Sequence, residues 1–382
     1  MPAATGHCEA PVKLNDFARL WREVSTPAHE VFERVGASGW YILGPEVRRF
    51  EEALATTLGC AAVVGVGNGL DAIEICLRCL EVTPGDLVVT APLSAFATTL
   101  AILRAGATPC FVDVDSSGLL DLERVRARLR RPPRPRCLLP VHLYGHALDL
   151  AVLRDLAAEF DVSIVEDCAQ AIGASHCGAA VGSASQIAAT SFYPTKNLGA
   201  FGDGGAVITN DPALAEAART LRHYGQRDTY DHVRLGLNSR LDELQAAILA
   251  DVLLPRLMGW TERRRAIAET YRSALAHREV TVPPTPPGSR SVWHLFPVLV
   301  PPERRDSFRS HLAGHGVQTG IHYPRLIPDQ PAFAGGRGFA LADTLDRARV
   351  FAASEVSLPI HPFLDDHEVE RVLNACNGWD GR

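Results

Sequence analysis

Short apolar runs alternate with helix-like segments over residues 45–210 of this chain, and this alternation restricts its fold more than any other feature. Strands that are joined through helices lie parallel in one sheet, with helices on both faces. Seven runs have the length and composition of buried strands, namely residues 61–66, 87–90, 110–114, 137–141, 162–166, 188–192 and 206–209. The sequence therefore predicts an α/β fold on a mostly parallel seven-stranded sheet.

After about residue 210 the pattern changes to helices followed by isolated strands. A proline-rich connector at 282–288 divides this part of the chain. Predicted helices cover 212–224, 241–257, 262–276, 304–315 and 366–374, and predicted strands cover 291–300 and 317–321. We expect two domains: residues 1–257 form a large domain with an N-terminal segment, and residues 258–382 form a small α+β domain.

Composition excludes several classes of protein. The net charge of −6 gives no basic footprint for nucleic acid, and no apolar run approaches the ~18–20 residues of a membrane span. The first 17 residues lack the pattern of a secretory signal. Nine cysteines, an odd number without a regular spacing, predict reduced thiols and a cytoplasmic protein. The lone C-x-x-C pair, Cys76 and Cys79, lacks a second ligand pair, so we expect it to be structural and expect no metal site.

Lys196 is the first candidate for chemistry. It lies in SFYPTKNLGAFGDGG, residues 191–205, where a strand ends in a proline turn and a glycine-rich turn follows. The chain has 36 arginines but only two lysines, Lys13 and Lys196. A sequence that avoids lysine yet keeps one here indicates a requirement that arginine cannot meet, such as imine formation. The alternative is an ordinary surface lysine.

Two further signals accompany this lysine. Asp167 ends an apolar strand, where a carboxylate can keep a pyridine nitrogen protonated, although it can also simply cap the next helix. The glycine turn GVGNGLD at 65–71 joins a strand to a helix, and its free amides suit a phosphate. It is not the dinucleotide fingerprint, because Leu70 stands where the third glycine would be. The three signals together predict a Schiff-base lysine, a pyridinium partner and a phosphate cradle.

With these motifs, the chain resembles the DegT/DnrJ/EryC1/StrS sugar aminotransferases, which are pyridoxal-phosphate (PLP) enzymes of fold type I. The resemblance extends over nearly the whole chain. Besides the segments quoted above, it is carried by GWYILGP at 39–45, GATPCFVD at 106–113, PVHLYG at 140–145, EDCAQA at 166–171, YGQ at 224–226, NSRLDELQ at 238–245 and IHYP at 321–324.

The resemblance implies a role for each matching residue. Lys196 holds PLP as a Schiff base and shuttles the proton, and Asp167 pairs with the pyridine nitrogen. Gln170 lies by the ring oxygen, and Asn238 reaches the phosphate of the partner subunit's cofactor, which makes the active unit a homodimer. The phosphate is bound by Ser191 and by the backbone of Gly69, Leu70 and Asp71. Arg240, His322 and Tyr323 are expected near the substrate, although His322 can equally be a satisfied buried histidine.

Two positions depart from the family pattern. Leu70 stands where many relatives have threonine, so that only backbone contacts to the phosphate remain. Ala95 stands where relatives usually have an aromatic ring stacked on the cofactor. A one-residue slip would let Phe96 stack instead, and the alternative for Phe96 is ordinary packing on a helix face.

The implied reaction moves an amino group from L-glutamate to a nucleotide-linked keto-6-deoxy sugar, with dTDP as the expected nucleotide and C-3 favoured over C-4. The amino sugar would serve antibiotic or surface-glycan synthesis. One rival is a sugar dehydratase of the same fold, which carries histidine in place of Lys196. A non-catalytic scaffold would not need the full set of cofactor residues. A nicotinamide oxidoreductase would need the missing G-x-G-x-x-G motif.

Overall fold

The computed structural model of the protein describes residues 10–381, so residues 1–9, part of the segment without a secretory pattern, lie outside the described residues. The helices are α1 Phe17–Ser38, α2 Pro45–Leu58, α3 Gly69–Cys79, α4 Phe96–Arg104, α5 Leu122–Leu129, α6 Leu150–Phe160, α7 Pro212–Arg222, α8 Glu243–Ile248, α9 Leu257–Ala274, α10 Arg305–Gly314, α11 Asp346–Ser354 and α12 Asp366–Asn377. The strands are β1 Ala62–Val66, β2 Leu87–Thr90, β3 Thr108–Phe111, β4 Cys137–Leu138, β5 Ser163–Asp167, β6 Ser175–His176, β7 Ala179–Ala180, β8 Ile187–Ser191, β9 Gly205–Thr209, β10 Gln226–Asp228, β11 Asp231–His232, β12 Ser289–Arg290, β13 Phe296–Leu299, β14 Ala340–Leu341 and β15 Glu355–Leu358.

The large sheet has the order β1-β9-β8-β5-β4-β2-β3-β14. β9 runs antiparallel to both of its neighbours, and the other adjacent pairs are parallel. All seven predicted strands are present, which confirms the mostly parallel α/β sheet. The eighth strand, β14, was not predicted, because it has two residues and no strand pattern of its own. It forms by pairing with the exposed edge of β3.

Helix α3 lies at the centre of the large domain. Ala72, Ile75, Cys76 and Leu77 are fully buried in the apolar cluster between this helix and strands β1, β5, β8 and β9. Cys79 is also buried, and burial raises the pKa of both thiols. The structural interpretation of the C-x-x-C pair fits this environment, in which the thiols behave as small apolar groups.

A separate apolar core joins α9, α10 and α12 to the antiparallel pair β13 and β15. The predicted strand at 317–321 is wrong, since this segment makes only single bridges, from Val317 to Val12 and from Gly320 to Ser357. Leu326, Phe333 and Phe351 pack instead on the core of the large sheet. Residues 326–352 thus belong spatially to the large domain, and the boundary at 257/258 stays a prediction. Among residues 10–381, no helix is long and apolar enough to cross a membrane.

Candidate active site

A cavity of about 640 Å³ opens where β5 and β8 end and α3 begins. In open α/β sheets ligands bind at the carboxyl ends of the strands, and this volume is ordinary for a cofactor or substrate site. Most of the sequence-predicted residues line it together: Gly69, Leu70, Asp167, Gln170, Ser191, Lys196, His322 and Tyr323. The last two come from the connection between α10 and α11, so both parts of the chain build the cavity.

Lys196 follows β8 in a tight turn in which its backbone N–H donates to the carbonyl of Tyr193 at 2.8 Å. Gly199 is required in this turn, because a Cβ there would lie 2.4 Å from the carbonyl oxygen of Pro194. Burial lowers the pKa of Lys196 to about 8, and the nearby charge of Asp167 opposes part of this decrease. The amine is therefore available as a nucleophile near neutral pH.

This pKa predicts how the cofactor-free protein reacts with pyridoxal. The neutral amine is the reactive form, so the rate of adduct formation at Lys196 should rise with pH and level off above about pH 8. Absorbance-monitored rates between pH 6 and pH 10 measure this profile. In Asp167→Asn the inflection should move to lower pH, because the charge that raises the pKa of Lys196 is gone. An inflection near the ordinary lysine value of 10.5 in wild-type protein would contradict the prediction.

Asp167 is the last residue of β5 and is 4% exposed. One carboxylate oxygen accepts a hydrogen bond from the Thr98 hydroxyl at 3.0 Å, and the other accepts the backbone N–H of Ala169 at 3.1 Å. Burial raises the pKa of Asp167, and these two hydrogen bonds oppose the increase. The alternative of a simple helix cap does not describe this site, because no helix follows within the next residues and the carboxylate lines the cavity.

Glu166, beside Asp167, is fully buried and does not line the cavity. It lies with His142 and Cys168 in a buried group whose potential ligand atoms are within 4.8 Å of one another. Its carboxylate already accepts the Nε2–H of His142, because Nδ1 of that ring accepts the backbone N–H of Leu148. Further donors are the backbone amides of residues 182, 184 and 185 and a serine hydroxyl. Burial alone would raise the pKa of Glu166, but His142 and these donors lower it. The group is a satisfied hydrogen-bond network that fixes the end of β5.

Fewer residues are available to bind the phosphate than the sequence predicts. Asn68 caps α3, and its side chain accepts the backbone N–H of Asp71 at 2.8 Å. The amide of Asp71 is therefore already used, and its carboxylate pairs with Arg104 at 3.0 Å instead of lining the cavity. The prediction that Asp71 binds phosphate is thus corrected. Gly69 and Leu70 remain, and a Cβ on Gly69 would lie 2.6 Å from Cβ of Ser191, which shows how closely the serine approaches the helix start.

Gln170 is held in one orientation by two hydrogen bonds. Its Oε1 accepts the backbone N–H of Tyr144 at 2.7 Å, and its Nε2 donates to the hydroxyl oxygen of Tyr323 at 3.2 Å. The Tyr323 hydroxyl therefore keeps its own proton for a ligand. Burial raises the pKa of Tyr323 well above the ordinary value of 10, so the phenol remains a donor at neutral pH.

Besides Asp71, three further predicted residues do not line the cavity. Ala95 caps α4 and faces it, whereas Phe96, the first residue of the helix, turns onto the core, with its ring centroid 5.9 Å from that of Phe333. The proposed stacking of Phe96 on the cofactor is therefore corrected, and the alternative of helix-face packing holds. Arg240 contacts the imidazole of His223 and lies over the ring of Tyr224. Asn238 is exposed on the surface.

Several lining residues were not predicted, namely Thr98, Arg104, Tyr193, Thr195, Asp203 and His294. Thr98 follows the segment around Ala95, one helical turn after it, so its place on the same face of α4 could have been inferred. His294 carries no such signal. It reaches the cavity from residues that precede β13 and is positioned by Asn197, whose Oδ1 lies 3.0 Å from its Nδ1.

Comparison with known proteins places the chain in a family. The sequence profile of the DegT/DnrJ/EryC1/StrS aminotransferase family matches residues 25–377. The chain belongs to this family. Over 99% of both chains it is 43% identical to a "dTDP-3-amino-3,4,6-trideoxy-alpha-D-glucose transaminase" of Streptomyces venezuelae. It is 39% identical to the "dTDP-3-amino-3,6-dideoxy-alpha-D-galactopyranose transaminase" of Aneurinibacillus thermoaerophilus, over 92% of this chain and 94% of the relative.

Solved structures agree with the observed fold. The crystal structure of S. venezuelae DesV in complex with a ketimine intermediate superposes with a TM-score of 0.92 at 43% identity, covering 98% of this chain and 100% of that one. A family member from Brucella abortus gives 0.91 at 32% identity, over 97% and 100% of the two chains. The fold is thus that of the PLP-dependent aminotransferases of type I, as predicted, and the protein is an aminotransferase.

Pyridoxal phosphate is the cofactor of this enzyme, and the cavity suits it. A lysine of lowered pKa and a buried carboxylate of raised pKa line the same space, and both would be compensated by a group with an aldehyde and a protonated ring nitrogen. The first-turn amides of α3, at Gly69 and Leu70, offer donors for the phosphate. When bound, PLP supplies an electron sink for the carbanion formed at the reacting carbon.

Proposed function

We propose that this enzyme transfers an amino group from L-glutamate to a nucleotide-linked keto-6-deoxy sugar, with dTDP as the nucleotide. The observation that carries the proposal is the similarity over the full chain to transaminases of dTDP-linked amino sugars. The cavity supports it, because about 640 Å³ accommodates a cofactor together with a sugar. The presence of Lys196, where the dehydratases of this fold carry histidine, favours transamination over dehydration.

Amination at C-3 is favoured over C-4. The transaminases quoted above carry names that place the amino group at C-3, and so does a third relative, from Micromonospora megalomicea, at 41% identity over 91% of this chain. Two relatives acting on UDP-sugars, from Pseudomonas aeruginosa and Acidithiobacillus ferrooxidans, are also named for a 3-oxo or 3-dehydro sugar. A further relative, from Saccharopolyspora erythraea and 43% identical over 95% of this chain, is named for erythromycin biosynthesis, which supports a deoxyamino sugar of a secondary metabolite as the product.

In this proposal each cavity residue has a distinct role. The Lys196 amine retains the cofactor and, once released, carries the proton between the donor carbon and its acceptor. Asp167, fixed by Thr98, keeps a positive charge on the ring nitrogen favourable in a buried site. The Tyr323 hydroxyl and the imidazoles of His294 and His322 lie on the same cavity wall and offer hydrogen bonds to the substrate.

An isotope experiment tests the proposed reaction. The holoenzyme is incubated with nitrogen-15 L-glutamate together with a keto-sugar. One reaction contains dTDP-3-keto-6-deoxyglucose and a second contains dTDP-4-keto-6-deoxyglucose. We expect the label in the sugar product, with NMR placing the amine at C-3. L-Aspartate and L-glutamine serve as comparison donors. Label at C-4 would overturn the position, label from another donor alone would overturn glutamate, and an unlabelled dehydrated product would overturn transamination.

We also propose that the active unit is a homodimer in which Asn238 completes the partner's site. Ser239, next to Asn238, accepts the backbone N–H of Gly67 at the phosphate end of the cavity, yet Asn238 itself is exposed and turned away from it. Large apolar side chains are exposed nearby in sequence, with Tyr230 and Leu235 about nine-tenths accessible. Exposed groups of this kind are typical of a surface that another subunit covers.

A mixing experiment tests this arrangement. Asn238→Ala and Lys196→Ala should each be inactive or weakly active as homodimers, but a mixed dimer would contain one site with both residues intact. We therefore expect activity to reappear when the two variants are unfolded together and refolded. Refolding each variant alone is the control. Failure to recover activity in dimers shown to be mixed by mass spectrometry would place Asn238 in its own subunit's site.

A cytoplasmic location, proposed from the cysteine content, is consistent with the eight described cysteines, which are all free.

A further inference from the structure

Behind the cavity wall, a buried carboxyl is connected to a cavity imidazole through one hydroxyl. The His322 ring lines the cavity, and its Nδ1 lies 2.9 Å from Oγ of Ser357. The same hydroxyl lies 2.5 Å from Oε1 of Glu355, which is fully buried at the start of β15. The other carboxyl oxygen, Oε2, accepts the backbone N–H of His322 at 2.6 Å. Glu355 thus holds His322 at both its backbone and its ring.

The direction of these hydrogen bonds depends on the proton of Glu355. Oε2 always accepts, because a backbone N–H points at it. When Glu355 is ionised, the Ser357 hydroxyl donates to Oε1, so Oγ must accept from Nδ1–H of His322. The ring is then the Nδ1–H tautomer, and Nε2 is a bare acceptor. Among residues 10–381, no side chain or backbone group is bonded to Nε2.

When Glu355 is protonated, the chain of donors reverses. The proton must lie on Oε1 and donate to Oγ of Ser357, since Oε2 already accepts the backbone N–H of His322. The Ser357 hydroxyl then donates to Nδ1, and the ring keeps its proton on Nε2. We infer that Glu355 and Ser357 are positioning residues that set the tautomer of His322, and thereby decide whether its Nε2 accepts or donates a hydrogen bond in the cavity.

Glu355 ionises near neutral pH, so both of its protonation states are accessible. Burial raises its pKa to about 7, while the hydrogen bonds from Ser357 and His322 oppose the increase. His322 itself stays neutral, because burial lowers its pKa to about 4 with a further contribution from Lys196. The titratable and charged groups that interact with Glu355 or share its surroundings are His322, Tyr144, Tyr323, Arg305 and Arg309, with Lys196 acting on His322 across the cavity.

The consequence concerns which substrate group His322 recognises. Above about pH 7, Nε2 accepts, and it suits a hydroxyl or an ammonium of the ligand. Below that pH, Nε2 donates, and it suits a carbonyl oxygen. The identity of that ligand, a hydroxylated keto-sugar, rests on the proposed function, but the control of the tautomer does not. Glu355 and Ser357 touch no ligand themselves, since neither lines the cavity.

Two variants separate the two states. In Glu355→Gln the amide oxygen can accept the His322 backbone N–H, and the amide NH₂ must donate to Ser357, which fixes the Nε2–H tautomer at every pH. In Ser357→Ala the connection is cut, and the ring no longer responds to Glu355. His294 serves as an internal control in the same cavity. Asn197 donates through its amide nitrogen to a carbonyl, so its Oδ1 accepts Nδ1–H of His294 independently of Glu355.

The test is imidazole nitrogen-15 NMR of the histidine-labelled holoenzyme, with His322→Gln used to assign the signals. In wild type we expect Nε2 of His322 to change from protonated to bare as the pH rises through about 7. In Glu355→Gln it should stay protonated, in Ser357→Ala the step should vanish, and His294 should not change in either variant. A wild-type ring that keeps one tautomer from pH 5.5 to 8.5, or that still changes in Glu355→Gln, would overturn the inference.

A kinetic measurement supplies the second readout. For the keto-sugar half-reaction, the ratio of KM between wild type and Glu355→Gln should depend on pH, with a difference of about tenfold above pH 7 that disappears below pH 6. A role limited to folding would give a difference that does not vary with pH. Because the NMR result needs no substrate, failure of the proposed sugar specificity would leave the tautomer test intact, and the two outcomes are distinguishable.

Discussion

Replacement of Lys196 by alanine is expected to remove both covalent retention of the cofactor and transamination. In the proposed mechanism this amine is the nucleophile and the proton carrier, and the other lysine of the chain, Lys13, is paired with Asp16 at the surface. We expect the rate of amino-group transfer to fall by about 10⁴-fold or more. Treatment of wild-type holoenzyme with borohydride should leave a stable cofactor adduct on one peptide, which mass spectrometry identifies as the peptide of Lys196.

Two companion variants make this result specific. Lys13→Ala should retain the adduct and full activity, because Lys13 does not line the cavity and its side chain is partly exposed. Lys196→Arg keeps a positive charge in the cavity but offers no amine that forms an imine, so it should behave like the alanine variant. An adduct that persists in Lys196→Ala, or that maps to Lys13, would remove Lys196 from the centre of the mechanism.

Replacement of Asp167 by asparagine is expected to have the second-largest effect. The buried carboxylate would be exchanged for a neutral amide of the same shape, so the fold is kept while the charge that stabilises a protonated ring nitrogen is lost. A buried charge pair that loses one member costs roughly 2–5 kcal/mol, which corresponds to a decrease of about 30- to 5,000-fold in the rate of transamination. Stopped-flow absorbance of the half-reaction with L-glutamate measures this decrease.

The matched control is Asp203→Asn, which removes a carboxylate that lines the same cavity but is exposed to solvent. We expect the rate in this variant to stay within a few-fold of wild type, because exposed charges are screened by water. A supplementary test restores the charge with a cofactor analogue methylated on the ring nitrogen, which should recover part of the activity of Asp167→Asn. Equal losses in Asp167→Asn and Asp203→Asn would mean that net cavity charge, rather than Asp167, is important.

The polar residues that follow buried strands could be predicted, because an apolar strand pattern and a polar residue just after it are both local signals. Asp167 and Lys196 each follow a predicted strand closely, so the sheet edge that gathers them is implied by the chain itself. The glycine turn before α3 is a local feature of the same kind. These residues meet in one cavity in the structure, as the motifs indicated.

The predictions for Phe96 and Asp71 failed for a different reason. Whether a residue at a helix start faces the cavity or the core depends on where the helix begins and on what packs against it. The ring of Phe333, more than two hundred residues away, receives Phe96, and the Asn68 side chain takes the amide of Asp71. The position of Phe333 relative to α4 is not coded by any pattern near residue 96.

The sequence by itself determined the α/β class, the strands of the large sheet and several residues that line the cavity, among them Lys196 and Asp167, because periodicity and turn residues act over a few positions along the chain. The tertiary structure alone decided which side chains share the cavity wall. Folding brings His294 and His322 to the cavity that Lys196 and Asp167 line, across separations of about 100 residues or more. It also places Glu355 behind His322 and decides the burial and hydrogen bonds of these groups. Protonation and tautomer follow from burial and from partners, which only the folded chain supplies.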